Sequence, residues 1–328
     1  MQIRKVQSED IKHLLDLFNQ TTLTPNFLYE KLSEEDFKAK FIHSTNVYDI
    51  HTFVATYHQS VIGFISGVYD ITTKKAYITM IIVDTKYRHK KIGTALLNTL
   101  ETVLRQQLLD QDKVEIVFFN PVALSWVIPH THAIHPNAPG IDSLSDAYLF
   151  FKAHNYLDFA VQNAYYMDIR NYAFSQLTQS VIDSVENKGF KFGYYDLEID
   201  YGLETLLDNL GSPVWKTVIL EHIHTQGNNN TLLVPTFEHK VAGFTGPLKV
   251  EPNGRGYFAG IGTHSDYRGF GLGKALFAKL VMGLKVLGAD YMTLFTGEHN
   301  PARRMYEKEG FKVVRTFIDL RKVDFKWR

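Results

Sequence analysis

The sequence predicts an α/β protein that is built as two tandem, related domains. The first observation is a glycine-rich loop at 267–274, which follows an aromatic, β-prone segment at 257–263. Apolar residues at helical spacing come after the loop, at 274–281, so the predicted order is strand, loop, helix. The second observation is a diverged copy of the loop 180 positions earlier, at 87–94. The third is that each half opens alike, with an edge strand and then helices.

The two halves align over most of their length. Matched positions at the offset of 180 are Gly63 and Gly243, Tyr77 and Tyr257, Arg88 and Arg268, and Gly93 and Gly273. Each half continues with a helix and another strand, at 114–119 and 290–295. Beyond these strands, residues 146–156 align with 301–311 at an offset of 155. The offsets differ by 25 residues, which predicts an insertion in the first half at about 121–145.

The predicted domain boundaries follow from this repeat. A chain of 328 residues is long enough for two domains with full hydrophobic cores. We expect a first domain at 1–170 and a second at 188–328. The stretch at 171–187 is predicted to be either a linker or a connecting helix, because its apolar residues have helical spacing.

Composition and charge exclude several classes of function. Lys plus Arg and Asp plus Glu both number 35, so no electrostatic attraction to nucleic acid or to an anionic membrane is expected. The chain has no cysteine, which rules out disulfides, thiolate metal sites and a cysteine nucleophile. The lack of cysteine, of an apolar N-terminal signal and of a long apolar run fits a cytoplasmic protein.

The glycine loop is suited to binding a pyrophosphate. A helix N-terminus leaves backbone N–H groups unpaired and carries partial positive charge, and glycines let a phosphate approach without meeting a Cβ. One alternative is a flexible turn. Another is a dinucleotide-binding fold, which places such a loop after the first strand of a parallel βαβ unit. Here the loop comes late in its half and follows an expected antiparallel hairpin at 240–263, which disfavours the dinucleotide fold.

At this point the sequence resembles the GNAT superfamily of acyl-CoA-dependent N-acetyltransferases. The resemblance rests on Arg268-Gly-Phe-Gly-Leu-Gly273, on the strand before it, and on Asn300-Pro-Ala-Arg-Arg-Met-Tyr306-Glu-Lys-Glu-Gly-Phe311. Both motifs occur in order and correctly separated. Residues 188–328 match well, and the first half looks like a diverged copy, so the resemblance is to a tandem two-domain form.

The resemblance implies a mixed, twisted sheet that splays open in each domain, with helices on both faces and acetyl-CoA in the splay. Loop N–H groups would hold the pyrophosphate, the strand would pair with the pantetheine arm, and Asn300 would hydrogen-bond that arm. The implied cofactor residues are Ile261, Gly262, Thr263, Arg268, Gly269, Phe270, Gly271, Leu272, Gly273, Lys274 and Asn300. Lys274, Arg303 and Arg304 are candidates for the 3′-phosphate. No metal is implied.

The resemblance also implies a general acid, Tyr306, which would protonate the leaving CoA thiolate. A phenol suits this task because its pKa of about 10 lies above that of a thiol. The alternative is an aromatic side chain that only packs on the sheet. For the base that deprotonates the amine, Glu298 is our first candidate, with His299 and His264 beside it. Each of the three could instead be an ordinary loop residue.

The first half departs from the family pattern at the positions that carry the chemistry. Gly269 and Gly271 correspond to His89 and Lys91 at the offset of 180, and Asn300 and Tyr306 correspond to Ser145 and Phe151 at 155. A phenyl ring has no proton to donate, and the two larger side chains add bulk where a phosphate would approach. We therefore expect the first domain to be non-catalytic.

The insertion carries a His-x-His-x-x-His pattern, at His130, His132 and His135. Such a pattern invites a metal interpretation, but no carboxylate or cysteine completes it at a familiar spacing. An aromatic loop that shields a cleft is the simpler interpretation. Long ordered loops are often functional, so this loop could also help to select the substrate.

The predicted function is acetyl transfer from acetyl-CoA to a primary amine of a small molecule or peptide, by direct attack in a ternary complex. We expect no nucleic-acid or membrane partner, and a monomer or homodimer. The alternative from another class is a non-catalytic acyl-CoA-binding or sensor protein. A longer acyl group is a further possibility that the sequence leaves open.

Overall fold

The structure is a computed structural model that describes residues 1–22, 24, 27–108, 113–117 and 121–323. The chain divides into two compact units. The first unit contains Met1–Asn163 together with the described residues from Val314 onward, and the second contains Ala164–Val313. Both units combine mixed β-sheet with flanking helices, which confirms the predicted fold class.

The first unit contains strands β1 to β8 and parts of two further strands. Its elements are β1 Gln2–Lys5, α1 Ile11–Thr21, α2 Glu34–Phe41, β2 Tyr48–Tyr57, β3 Ser60–Asp70, β4 Lys75–Val83, α3 Ile92–Gln107, β5 Val114–Ile116, β6 Trp126–Val127, β7 Ile134–His135, β8 Ile141–Asp142, α4 Asp146–Ala153 and the start of β9 Leu157–Asp168. Strands β1 to β4 pair antiparallel, and β4 pairs parallel with β5. Of the predicted strand at 114–119, residues 118–119 lie outside the described part of the chain.

The last strand that the structure describes, β17 Lys312–Lys322, extends the sheet of the first unit. It pairs antiparallel with β5, with Leu320 opposite Ile116, and with β8 in the insertion. Its Lys322 side chain lies 2.9 Å from the carboxylate of the buried Glu101 on α3. The boundaries between the units therefore fall inside β9 and β17, and neither unit ends where the two sequence repeats meet.

Two hydrophobic cores lie on opposite faces of the first unit's sheet. Helices α1 and α2 cover one face with the buried rings of Phe18, Phe37 and Phe41. Helices α3 and α4 cover the other, where Leu96, Leu100 and Phe151 are buried together with the inward residues of β2 to β5. Side chains alternate between the faces of a strand, which lets the same strands serve both cores.

The second unit begins with an additional helix. Its elements are α5 Gln176–Glu186, β10 Phe190–Tyr194, α6 Leu203–Leu210, α7 Pro213–Gln226, β11 Leu233–Phe237, β12 Lys240–Val241, β13 Gly243–Thr245, β14 Arg255–Gly256, β15 Ile261–Thr263, α8 Leu272–Val286, β16 Tyr291–Gly297 and α9 Arg303–Lys308. Ser175 starts α5 by accepting a hydrogen bond from the N–H of Thr178. The segment at 171–187 thus contains a three-turn helix.

The sheet of the second unit divides at the segment where β14 leads to β15. Strand β14 pairs parallel with the start of β16, with Arg255 opposite Tyr291. Strand β15 instead pairs antiparallel with β13, with Gly262 opposite Phe244. Strands β14 and β15 therefore belong to different pairs, and a gap opens between β15 and β16.

The prediction of one strand over 257–263 was wrong, because residues 257–260 are irregular and only Ile261–Thr263 form a strand. Gly260 has φ of +141°, which L side chains rarely adopt. A Cβ at Gly260 would lie 2.7 Å from the indole of Trp215 on α7. The bulky ring thus occupies the space beside the strand, and only glycine lets the chain turn there. The corresponding strand of the first unit, β4, is unbroken.

Candidate active site

The open edge of β15 is the first component of the candidate site. The carbonyl of Gly260 accepts from Gly246 N–H at 3.1 Å, and the N–H of His264 donates to Ala242 at 2.9 Å, so the even-numbered residues bond toward β13. In an antiparallel pair, alternate residues direct their N–H and C=O groups to the opposite edge. The polar backbone of Ile261 and Thr263 therefore faces the gap, where no described strand pairs with it.

The glycine loop is the second component, and it leads from β15 into α8. Gly269 and Gly271 have φ of +86° and +85°, the left-handed conformation in which glycine carries no Cβ penalty. In the part of the chain that the structure describes, no backbone acceptor pairs with the N–H groups from Gly269 to Gly273. A Cβ at Gly269 would meet nothing within 4 Å, and one at Gly273 would meet only Thr263, at 3.8 Å. The loop presents free donors with open space in front of them.

Basic side chains surround this loop. Arg268 and Lys274 are exposed, and Arg268 has no ion-pair partner among the described residues. Leu272 is buried at the start of α8, where it anchors the helix in a small core with α5. Phe270 is 43% exposed, so it is not part of that core. Positive charge and free N–H groups at the start of a fifteen-residue helix favour an anionic ligand.

Tyr306 is the third component, and it lies on the short helix α9. Its side chain is buried between Phe277 of α8, with ring centroids 4.8 Å apart, and Phe258 of the irregular segment before β15, at 6.2 Å. No described residue hydrogen-bonds to its hydroxyl. Burial, together with the neighbouring Tyr165 hydroxyl, raises the pKa of Tyr306 to about 12. The phenol therefore stays protonated at neutral pH, as a proton donor must.

Asn300 and Glu298 line a polar surface cavity of about 430 Å³ at the end of β16, which also involves His299, Pro301, Arg303, Arg304 and Glu307. The Asn300 side-chain oxygen accepts from Ala302 N–H at 2.9 Å, which closes a turn just before α9. Its amide nitrogen has no partner among the described residues and can donate to a ligand. Tyr306 does not line this cavity.

The three candidate bases differ in their surroundings. Glu298 and His299 are exposed and lie 3.4 Å from each other. His264 follows β15 and is buried, but its Nδ1 accepts from Asp266 N–H at 3.3 Å. That contact engages Nδ1 of His264 within the turn that follows β15. Of the three, Glu298 keeps a free carboxylate oxygen at the surface, in the loop between β16 and α9.

The corresponding loop of the first unit keeps the backbone conformation but not the open space. His89 and Lys91 have φ of +59° and +62°, close to the values of the matching glycines. A Cβ at Gly93, however, would lie 3.1 Å from the ring of Phe150 on α4. His154 of α4 also lies 3.0 Å from the Thr94 hydroxyl in the first turn of α3. In this unit α4 packs directly onto the helix N-terminus.

Two further contacts hold α4 against the loop of the first unit. Arg88, which matches Arg268, forms a 2.8 Å ion pair with Asp146 in the first turn of α4. Ser145 caps α4, and Phe151 is buried with its ring 5.0 Å from Tyr156. The substitutions seen in the sequence therefore coincide with a filled groove.

Several residues of the second unit's site carry no sequence signal. Tyr165, on β9, is fully buried 6.1 Å from the Tyr306 ring and donates a 2.8 Å hydrogen bond to Glu307 on α9. Trp215 and Leu210 pack on Gly260 and Gly262 of the strand segment. None of these belongs to the two motifs, and their positions depend on contacts between elements far apart in the chain.

The histidines of the insertion do not converge. His130 and His132 are exposed, whereas His135 is buried, as is Trp126, whose ring lies 5.2 Å from Phe317. Within the described ranges, no group of three or more His, Asp or Glu side chains is arranged to hold a metal ion. No described helix is both long and apolar enough to cross a membrane.

The divided sheet, the glycine loop and the buried phenol of the second unit are the features expected of an acetyltransferase-type domain. The sequence matches the model of the Acetyltransferase (GNAT) family at 13–123 and again at 202–311. Together the two ranges cover more than half of the chain, so the chain belongs to the GNAT acetyltransferase family. The predicted tandem form with a diverged first copy is confirmed.

Solved structures share this fold over nearly the whole chain. A glucosamine N-acetyltransferase region of a fungal multi-domain β-N-acetylglucosaminidase has a TM-score of 0.67 and 15% identity, covering 98% of this chain and 38% of that longer chain. A GNAT N-acetyltransferase from Sphaerobacter thermophilus has a TM-score of 0.62 and 12% identity, covering 98% and 95%. A tandem GNAT protein of the clavulanic acid biosynthesis pathway has 0.59 and 12%, covering 98% of each. No curated protein sequence matches the chain significantly.

Proposed function

We propose that the second unit transfers an acetyl group from acetyl-CoA to a primary amine of a small molecule or peptide. The observation that carries the proposal is the position of Tyr306. Its buried, protonated phenol packs against Phe258, beside the strand whose open edge faces the gap. The glycine loop lies at the other end of the same strand. The glycine loop, β15 and Tyr306 thus follow one another in that order. CoA presents its pyrophosphate, its pantetheine amides and its thiol in the same order.

The residues of the site fit acetyl-CoA. The free N–H groups from Gly269 to Gly273 would hold the pyrophosphate, with Arg268 and Lys274 supplying positive charge. The backbone of Ile261 and Thr263 would pair with the amides of the pantetheine arm, and Asn300 would donate its free N–H to the same arm. When bound, acetyl-CoA supplies the activated acetyl thioester.

Proton transfers complete the proposed reaction. The acceptor amine must lose its proton before or during attack, and Glu298 is our candidate for receiving it, directly or through water. Backbone N–H groups on the open edge of β15 would polarise the thioester carbonyl. Tyr306 would then protonate the leaving thiolate. The C–N bond forms as the C–S bond breaks, and no metal takes part.

The first unit is proposed to be non-catalytic. Its acid position is Phe151, and the groove beside its loop is filled by Phe150 and bridged by the contact between His154 and Thr94. The insertion packs within this unit. A role in selecting the acceptor is proposed for the insertion loop at 128–137, in which His130 and His132 are exposed.

The proposal is tested by measuring CoA release from acetyl-CoA with a panel of amines. The panel should include a polyamine, an amino acid, an aminoglycoside and a peptide α-amine, together with glucosamine because a structural neighbour is described as acting on it. We expect at least one amine to support turnover. Tyr306→Phe should lower kcat by about 100-fold or more, since a general acid contributes about 10²–10⁴.

Binding separates the enzyme from the alternative, a non-catalytic acyl-CoA sensor. The affinity of Tyr306→Phe for CoA, measured by calorimetry, should stay within about twofold of wild type, because the phenol acts on the leaving group and not on the pyrophosphate. A protein that binds CoA tightly but turns over no amine in the panel would favour the sensor.

A further inference from the structure

We propose that the segment Tyr172–Glu186, which runs between the two repeats in the sequence and is here called the spacer, fixes the position of α9 relative to α8 and so keeps the cofactor groove of the second unit open. The inference rests on the proposed function for the identity of the groove. The contacts that carry the inference lie within the second unit. Glu309, just beyond α9, is the positioning residue through which the spacer acts on Tyr306.

The spacer holds the acid helix by one carboxylate. Glu309 accepts a 2.6 Å hydrogen bond from the Tyr172 hydroxyl and a 3.0 Å hydrogen bond from the Thr178 hydroxyl. Helix α9 has only six residues, too few to be stable without tertiary contacts. Its orientation, and with it the position of Tyr306, therefore depends on such anchors.

The same segment also holds the loop helix. Val181 and Val185 lie 3.4 Å and 3.7 Å from where a Cβ of Gly271 would be, so α5 packs behind the glycine loop. Glu186 forms a 2.9 Å ion pair with Lys279 on α8. The ammonium of Lys285 donates to the Tyr172 carbonyl at 2.6 Å. The spacer is thus attached to α8 along most of its length.

The first unit shows the arrangement in which the residue at the position of Glu309 contacts the loop helix instead. Glu309 corresponds to His154 at the offset of 155, and Lys274 corresponds to Thr94 at 180. His154 bonds to Thr94, and the groove between α3 and α4 is filled. In the second unit the position of His154 is taken by a carboxylate that is bonded to the spacer instead. The groove is open in the unit where this residue is drawn away from the loop helix.

The test uses substitutions that keep the shape of the spacer. Tyr172→Phe combined with Thr178→Val removes both hydrogen bonds to Glu309 and leaves the side-chain volumes nearly unchanged. Ser180→Ala, on the exposed face of α5 where Ser180 bonds only to the Gln176 carbonyl, is the matched control. Tyr172→Phe combined with Thr178→Ser keeps one hydroxyl that can donate to Glu309. This variant should therefore lie between the double variant and the wild type.

Two measurements without turnover decide the inference. Amide hydrogen exchange of residues 303–309 in the free protein should become at least about tenfold faster in the double variant and stay unchanged in Ser180→Ala. The calorimetric Kd for CoA should rise about fivefold or more. Unchanged exchange at 303–309 together with unchanged Kd would overturn the spacer.

A kinetic measurement distinguishes failure of this inference from failure of the proposed function. With an accepted amine, kcat of the double variant should fall about tenfold at a temperature well below unfolding, and the serine variant should recover part of it. An inactive wild-type protein would refute the proposed acetyl transfer, but the exchange and binding results would still decide whether the spacer exists. Equal kcat in wild type and double variant would contradict the positioning role of Glu309.

Discussion

Two pairs of residues show that a loop can keep its backbone conformation after the glycines that favour it are replaced. Gly269 and Gly271 adopt the left-handed conformation at no steric cost, whereas His89 and Lys91 adopt it with a Cβ. That conformation costs an ordinary residue about 1–2 kcal/mol. The packing of α4 on the first unit's loop holds it in place, so the backbone keeps a shape that its side chains disfavour.

Replacing one of the strained residues should stabilise the first unit. Lys91→Gly removes the left-handed penalty, and part of the gain is lost because glycine is freer in the unfolded chain. We expect a net gain of about 0.5–1 kcal/mol in the free energy of unfolding, measured by urea denaturation. Lys90→Gly, one residue earlier and at negative φ, is the control and should not stabilise. A loss of stability in Lys91→Gly would show that its side chain makes a contact worth more than the strain.

The pKa of Tyr306 sets an expectation for the pH dependence of turnover. Because burial raises this pKa to about 12, the neutral phenol is fully present below its ordinary value of about 10 and is lost only as pH rises through the folded value. The rate should therefore rise with pH as the acceptor amine loses its proton, with no decline before about pH 10. A pH–rate profile from 6 to 10 checks this. A basic limb below pH 10 that disappears in Tyr306→Phe would contradict it.

At the scale of elements, local features were predictable and pairings between distant elements were not. The glycine loop and α8 follow from glycines and apolar spacing within a few residues. The buried phenol follows from a motif that the family resemblance supplied. The break in the strand at Gly260 depends on Trp215 from α7, and the clamp on Glu309 depends on Tyr172 and Thr178, more than 130 positions away along the chain. Local sequence patterns do not predict contacts between residues so far apart in the chain.

The break before β15 can be tested through its glycine. Gly260→Ala would place a methyl group 2.7 Å from the Trp215 indole and would strain a φ of +141°. We expect a loss of about 2–4 kcal/mol from overpacking and backbone strain together. Gly288→Ala also has positive φ but no atom within 4 Å of the added Cβ, so it should cost only about 1 kcal/mol. Denaturation curves of the two variants compare the effects, and equal losses would mean that Trp215 moves aside freely.

The whole molecule is expected to bind one acetyl-CoA. The second unit offers free N–H groups and open space, whereas the groove of the first is filled by Phe150. Calorimetric titration should give one site per chain. Gly271→Ala should weaken this site, because a left-handed residue with a Cβ disturbs the donors of the loop. The matched variant Lys91→Gly should leave both the number of sites and the affinity unchanged. Two equivalent sites would refute the assignment of chemistry to the second unit alone.

The division of the chain also predicts that the halves cannot be separated by one cut. Strand β17 pairs with β5 and β8, and its Lys322 forms an ion pair with the buried Glu101, which Arg105 and Tyr156 also contact. A fragment ending at residue 170 would leave that carboxylate buried without its lysine partner and the edge of β5 exposed. We expect the fragment to be unstable or aggregated, as shown by circular dichroism and size-exclusion chromatography, whereas a well-folded fragment would show that β17 is dispensable.

The place of β17 reverses the order in which the chain can finish folding during translation. Domains made first by the ribosome generally fold first. Here the N-terminal unit needs residues from Val314 onward, which are synthesised after Ala164–Val313, the continuous stretch that forms the second unit. The unit with the proposed chemistry is therefore the first that can assemble in full. A ribosome that stops before Val314 would release a chain whose second unit is complete and whose first unit is not.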